Sequence, residues 1–221
     1  MRQPMNFELA RFNMVEQQIR TSMPLRAEVR DLLLTVPRET FVPTNWRHQA
    51  FSDVEIPLGD EAAMFAPRID ARIVQALSPR KYENVLEIGT GSGYTAALLA
   101  VHADHVTSLE IRPDLAAAAR DNLRQAGIGN VDVLAEDGFA KVPAAQSYSV
   151  IAVSGAVADI PQSLLSALKV GGRLLAFVGQ APCQQLRLVT RVDDASYLGR
   201  DLMETVVAPL RNLPKTSSFR L

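Results

Sequence analysis

Cysteine is nearly absent from this chain. Cys183 stands alone in 221 residues, which excludes an internal disulfide framework and a thiolate metal cluster. Histidine is scarce too. His48, His102 and His105 form no ligand pattern, and the last two flank a predicted helix end, where a surface role is expected. No metal is expected. An excess of one charge is also missing. Net charge is -1, and the first 80 residues balance ten Arg against ten Asp or Glu, so nothing argues for steering toward nucleic acid or a membrane. No apolar run approaches the ~20 residues of a membrane span. Met1 to Ala10 lacks the apolar core of a signal peptide, so a cytoplasmic protein is expected. There is no internal repeat and no low-complexity tract. Apolar residues are abundant, at 48%, enough for the core of one α/β domain with an N-terminal addition.

The chain divides by rhythm. Phe7 to Ile19 and Arg26 to Val36 carry helical apolar spacing, and Pro37 stops the second. Arg38 to Pro43 reads as a loop, with a short helix starting at Thr44-Asn45-Trp46. Phe51 to Leu58 reads as irregular or extended, with Pro57 and Gly59 marking a turn. Pro67 opens a helix to about Leu77, striped by Ile69, Ile73, Val74 and Leu77. From Val85 strands alternate with helices. The predicted strands are Val85–Ile88, Val106–Glu110, Val131–Ala135, Val150–Val153 and Arg173–Val178. The predicted helices are Tyr94–His102, Pro113–Ala126 and Pro161–Leu168. This alternation predicts a Rossmann-like, doubly wound, mostly parallel sheet. Lys169 to Gly172 reads as a tight turn, and Leu186–Arg191 and Met203–Val207 as a final antiparallel pair. The expected division is residues 1–80 as a helical addition with a substrate loop, 81–211 as the cofactor domain and 212–221 as a frayed tail.

The chemistry centres on Asn84-Val85-Leu86-Glu87-Ile88-Gly89-Thr90-Gly91-Ser92-Gly93-Tyr94, a buried strand, a glycine turn and a helix start. Glu87 at the strand end suits a ligand with hydroxyls or positive charge and repels a pyrophosphate. The glycine spacing also differs from the Gly-x-Gly-x-x-Gly of dinucleotide folds. The cofactor indicated is S-adenosylmethionine, with Gly89, Thr90, Gly91, Ser92 and Gly93 forming its turn. Glu110 ends the second strand, 17 residues past Gly93, where a carboxylate can accept from both hydroxyls of a ribose. Asp137-Gly138 follows the third strand, where a carboxylate can accept from the adenine amino group. Neighbouring Glu136 competes for that role, and the sharper Asp-Gly turn favours Asp137. Glu87 is expected at the amino-acid or sulfonium end.

These phrases resemble motif I of class I S-adenosylmethionine-dependent methyltransferases. From about residue 13 to 210 the chain is similar to the protein-L-isoaspartate O-methyltransferase family. Met14-Val15-Glu16-Gln17-Gln18-Ile19 resembles that family's opening helix. Val36-Pro37-Arg38-Glu39-Thr40-Phe41-Val42-Pro43 resembles its Val-Pro-Arg-x-x-Phe-Val-Pro phrase, and Ala50-Phe51-Ser52-Asp53 its Ala-Tyr-x-Asp. The resemblance implies methylation of a carboxylate at isoaspartyl residues of damaged proteins, with protein or peptide as partner. It says nothing of oligomeric state. The substrate loop departs from the pattern Gly-x-x-x-Thr-Ile-Ser-x-Pro-His: Ala63, Met64, Phe65, Ala66, Pro67 and Arg68 stand at its last six positions. The hydroxyls that the family uses to orient the acceptor are thus Ala63 and Phe65 here. Ser149 likewise replaces a usual Asp. Catalytic residues are therefore not assigned. Phe65 is left with three roles: core aromatic, wall of an apolar pocket, or cation–π partner of a sulfonium. Arg68 is left with two, as a ligand for an acidic acceptor or a solvated first-turn residue. A homologue with an altered acceptor, or with no transfer activity, is the alternative expectation.

Overall fold

The computed structural model describes residues 6–140 and 144–213. Most of the expected tail, 214–221, lies outside them. The chain enters as a helix at Phe7–Asn13, where the Asn6 side chain accepts from the Leu9 N–H at 3.0 Å and caps the first turn. The helix continues through a π-helical stretch, Met14–Ile19, into a last turn, Arg20–Ser22. Met14, Val15 and Ile19 are fully buried, while Leu9 stays exposed. Ala27–Thr35 follows as predicted, burying Val29, Leu32 and Leu33.

Arg38 to Pro43 is not simply a loop. Arg38–Phe41 forms a helical turn, closed by the Thr40 N–H donating to the Pro37 carbonyl at 3.0 Å, with the Arg38 side chain wholly buried. A 3₁₀ helix, Thr44–Gln49, occupies the expected place. The extended stretch then becomes β1 (Ile56–Gly59), which turns back as β2 (Ala62–Met64). The turn itself, Asp60-Glu61, has both residues at positive φ. Pro67–Leu77 is a helix with Ile69, Ile73, Val74 and Leu77 buried.

The main sheet has seven strands: β3 (Asn84–Ile88), β4 (His105–Leu109), β5 (Val131–Leu134), β6 (Tyr148–Val157), β7 (Leu168–Gln180), β8 (Cys183–Arg191) and β9 (Tyr197–Glu204). Their spatial order is β5-β4-β3-β6-β7-β8-β9. The pairings from β5 to β7 are parallel, and those of β8 are antiparallel. Helices Tyr94–Ala100, Pro113–Gln125 and Gln162–Ala167 connect the parallel strands. The winding reverses between β3 and β6, so a crevice opens beyond the carboxyl end of β3.

Two of the differences from the expected boundaries have a clear register basis. Lys169 to Gly172 lies inside β7 as a bulge: Tyr148 pairs with Leu168, and the next partner of β6 is Arg173. Gly171 takes the positive φ that such a detour requires. The last strand ends at Glu204, because the hairpin register begins at Arg191 opposite Tyr197. Val207 instead donates its N–H to the Gln184 side chain at 2.8 Å. One apolar cluster joins Met14, Ile19, Leu33 and Ile73 to Val85, Val106 and Val150, so the N-terminal helices share a core with the sheet.

Candidate active site

An open cleft lies at the switch point, where open α/β sheets bind their ligands. Gly89, Thr90, Gly91 and Ser92 form its floor, and Glu110, Asp137 and Gly138 line one side. Seven of the residues expected at the cofactor are thereby brought together. Glu136 is not part of the wall.

Glu110 follows β4 directly. Its carboxylate accepts from the Gly91 N–H at 2.8 Å and from the Arg112 N–H at 3.0 Å. Each oxygen keeps a lone pair for a further donor. Asp137 accepts from the Phe139 N–H at 2.9 Å and from the Asn212 side chain at 3.2 Å. Ile111 and Phe139 also line the cleft and add apolar surface to it. The backbone there is close-packed. A Cβ on Gly138 would come within 2.6 Å of Ile88 Cγ2. Gly89 has φ +91°, where any side chain is strained.

Two expected residues stand elsewhere. Gly93 is not in the wall; it sits at φ +88° against Ala119 of the Pro113–Gln125 helix and serves packing. Glu87 is fully buried behind the wall. Ser108 Oγ donates to it at 2.6 Å and Ser154 Oγ at 3.0 Å. The Thr90 and Ser108 hydroxyls lie 2.6 Å apart, extending the network to the floor. Burial pushes the Glu87 carboxyl up to about 8, against the pull of both serines. Ser154 and, through Ser108, Thr90 carry this network to the cleft, while the strand alternation that places Leu86 and Ile88 on one face sends Glu87 to the other.

The sequence reading missed a buried ion pair. Arg38, from the Val-Pro-Arg phrase, is wholly enclosed. It donates to Asp70 Oδ2 at 2.7 Å, to the Ala50 carbonyl at 2.9 Å and to the Phe65 carbonyl at 2.6 Å. Its guanidinium carbon stands 4.8 Å from the Tyr94 ring centroid. Asp70 also accepts from Thr95 Oγ1 at 2.8 Å and borders the cleft. Burial raises its carboxyl to about 6, while Arg38 and Thr95 oppose the rise. The signal was present: Asp70 falls on the buried stripe of Ile73, Val74 and Leu77, and a carboxylate there needs a partner.

Ala63, Met64 and Phe65 line the cleft; Ala66, Pro67 and Arg68 do not. Phe65 is nearly buried, with its ring 5.2 Å from that of Phe177, and it also lines the cleft, so the core-aromatic and pocket-wall roles coincide. Arg68 is half-exposed and pairs with Asp53, which is the solvated first-turn role. Glu55, Arg112 and Arg211 border the cleft as further charged groups that the sequence did not single out. Burial raises the Glu55 carboxyl, and Arg68 opposes this. Among the described residues no cluster of His, Cys, Asp or Glu could hold a metal, and no helix is long and apolar enough to cross a membrane.

Comparison with known proteins extends the local geometry to the whole chain. The model of the family described as protein-L-isoaspartate(D-aspartate) O-methyltransferase matches residues 10–214. A protein-L-isoaspartate O-methyltransferase of Methanoculleus marisnigri is 42% identical over 182 residues, covering 82% of this chain and 83% of that one. One from Rhodopseudomonas palustris is 40% identical over 198 residues, covering 89% and 91%. The fold is similar to a Plasmodium falciparum protein assigned to the same activity and solved with S-adenosyl-L-homocysteine. That match has a TM-score of 0.78 at 17% identity and covers 91% of this chain and 98% of that one. With residues 10–214 matched by the family model and relatives 40% identical or more along most of the chain, the chain belongs to the protein-L-isoaspartate(D-aspartate) O-methyltransferase family.

Proposed function

We propose that this chain transfers a methyl group from S-adenosylmethionine to the carboxylate of an isoaspartyl residue in a protein or peptide. Family membership over residues 10–214 carries the reading. When bound, S-adenosylmethionine supplies an electrophilic methyl group, which passes to a carboxylate oxygen as S-adenosylhomocysteine leaves. The protein's part is positioning. Glu110 accepts from the ribose and Asp137 from the base. The bare backbone at Gly89, Gly91 and Gly138 allows close approach. Arg38 ties the Phe65 carbonyl to the interior and so fixes the hairpin at the cleft. The acceptor needs no general base, because a carboxylate is already ionised at pH 7. Loss of transfer activity is the less favoured reading, since relatives about 40% identical along most of the chain carry the activity in their names. In this reading residues 1–80 serve the acceptor side, residues 81–211 hold the cofactor, and the protein works in the cytoplasm on damaged proteins.

The test is transfer of labelled methyl from S-adenosylmethionine to an isoaspartyl peptide, beside the same peptide with ordinary aspartate. Label should enter the first and not the second. Absence of label in the isoaspartyl peptide would reject the proposal.

A further inference from the structure

The β1–β2 hairpin has a fixed base and a strained, exposed tip. Its strands form a two-stranded sheet of their own, apart from the main sheet. At the base, Ile56 pairs with Met64 and both are buried. Arg38 holds the adjoining Phe65 carbonyl from inside at 2.6 Å. The tip is exposed at Gly59, Asp60 and Glu61. These three residues follow one another at positive φ, +87°, +45° and +65°. Glycine takes this conformation freely, but the Cβ of Asp60 and of Glu61 makes it costly for them. A strained segment persists only where its surroundings hold it.

Two arginines supply that hold. Arg112 Nη1 donates to the Gly59 carbonyl at 2.7 Å, and its Nη2 stands 3.5 Å from the Asp60 carboxylate. Arg211 Nη2 donates to the Asp60 carbonyl at 2.6 Å. Arg112 follows β4 and Arg211 follows β9, and both border the cleft together with Asp60 and Glu61. Each bond therefore joins two walls of the cleft that lie far apart in sequence. Asp114 accepts from Arg112 Nε at 3.3 Å and Nη2 at 2.7 Å and keeps the guanidinium aimed. The main-chain N–H of Arg112 also bonds Glu110, so one residue serves both the hairpin tip and the carboxylate assigned to the ribose. Leu58 closes on the cofactor turn from the same hairpin: a Cβ on Gly91 would lie 3.3 Å from Leu58 Cδ1.

We propose that the β1–β2 hairpin is a lid over the cofactor, hinged at its buried base and latched at its tip by Arg112 and Arg211. S-adenosylmethionine enters, and S-adenosylhomocysteine leaves, when the latch opens. The four latch partners make a two-state element. Bonds from the arginines favour the closed form, and the strain at Asp60 and Glu61 favours the open one. Closure excludes water and fixes the reacting group, while opening sets the rate of exchange. Arg112 and Arg211 are positioning residues here, because their guanidinium groups act on the hairpin backbone. The proposal concerns the cofactor and holds whatever the acceptor.

The test uses the full chain and S-adenosylhomocysteine, with no acceptor present. Entry and exit rates are measured by rapid mixing, and Kd by calorimetry, for the parent, Arg112→Gln and Arg211→Gln. Each variant removes a charged donor from the tip and should speed entry and exit alike, by about tenfold. Kd should then change less than about threefold, since both rates pass through the same opening. Faster exit with unchanged entry, and Kd weakened in proportion, would make the arginines cofactor contacts and overturn the lid. Unchanged rates in both variants would overturn it too. Urea midpoints show whether a variant has lost stability; if one has, the other decides, because the two arginines sit on separate segments. If both have, the unaltered protein decides. A binding rate that levels off as ligand rises supports the gate, and one that stays proportional to ligand overturns it.

Discussion

Replacing Glu87 by Gln separates a ligand of the cleft from a residue behind its wall. Gln keeps the shape of the side chain and can still bond Ser108 and Ser154, but it cannot ionise. In the folded protein burial holds the Glu87 carboxyl near 8, against 4.5 when unperturbed. Between those values the unfolded chain gives up this proton and the folded one keeps it. The folded state then binds more protons, so stability falls as pH rises. The slope is about 1.4 kcal/mol per pH unit, or about 4 kcal/mol from pH 5 to pH 8. Asp70, raised from 3.8 to about 6, adds a fall of the same sign only at the acid end. Glu87→Gln should therefore become more stable relative to the parent at each step from pH 5 to pH 8, as read from urea midpoints. Its affinity for S-adenosylmethionine should change less than about threefold, since Glu87 does not reach the cleft. Parallel pH curves for parent and variant would refute the buried neutral carboxyl. A large loss of cofactor affinity with unchanged stability would return Glu87 to the cofactor.

Glu110→Ala removes both acceptors proposed for the ribose, so calorimetry should show cofactor affinity lowered about tenfold or more; an unchanged value would remove Glu110 from the ribose. Arg38→Met leaves Asp70 buried without its cation and should cost about 3–5 kcal/mol in chemical unfolding, whereas a loss below about 1 kcal/mol would mean the pair behaves like a surface one. Gly138→Ala forces a Cβ against Ile88 and should cost about 1–3 kcal/mol, with weaker cofactor binding in the same titration. Phe65→Ser opens the contact with Phe177 and should cost about 3 kcal/mol or more, so restoring the family hydroxyl at this position trades fold stability for a donor; unchanged unfolding would show that the ring is not a core element.

Local pattern made the cofactor side legible. The strand–glycine–helix phrase around Glu87, the alternation after Val85 and the carboxylates at Glu110 and Asp137 depend on spacing within a few residues, together with one rule of topology that gathers strand ends. The hairpin was less legible, because Phe51 to Leu58 carries Pro57 and a glycine turn where strand signals are weak. Its pairing emerges only when Ala63 meets Pro57 across the turn.

The sequence by itself determined the fold class, the order of strands and helices from Val85 on, and most of the short segments that meet at the crevice, since periodicity and turn chemistry are local properties. Only the tertiary structure decided what each charged or aromatic side chain faces. Glu87 turns away from the cleft into two serine hydroxyls, Arg38 finds Asp70 and the Phe65 carbonyl, and Phe65 packs on Phe177. Each of these partners lies far along the chain, and a carboxylate or ring takes its role from whichever distant groups the core brings within a few ångströms, a choice that spacing in the sequence does not encode.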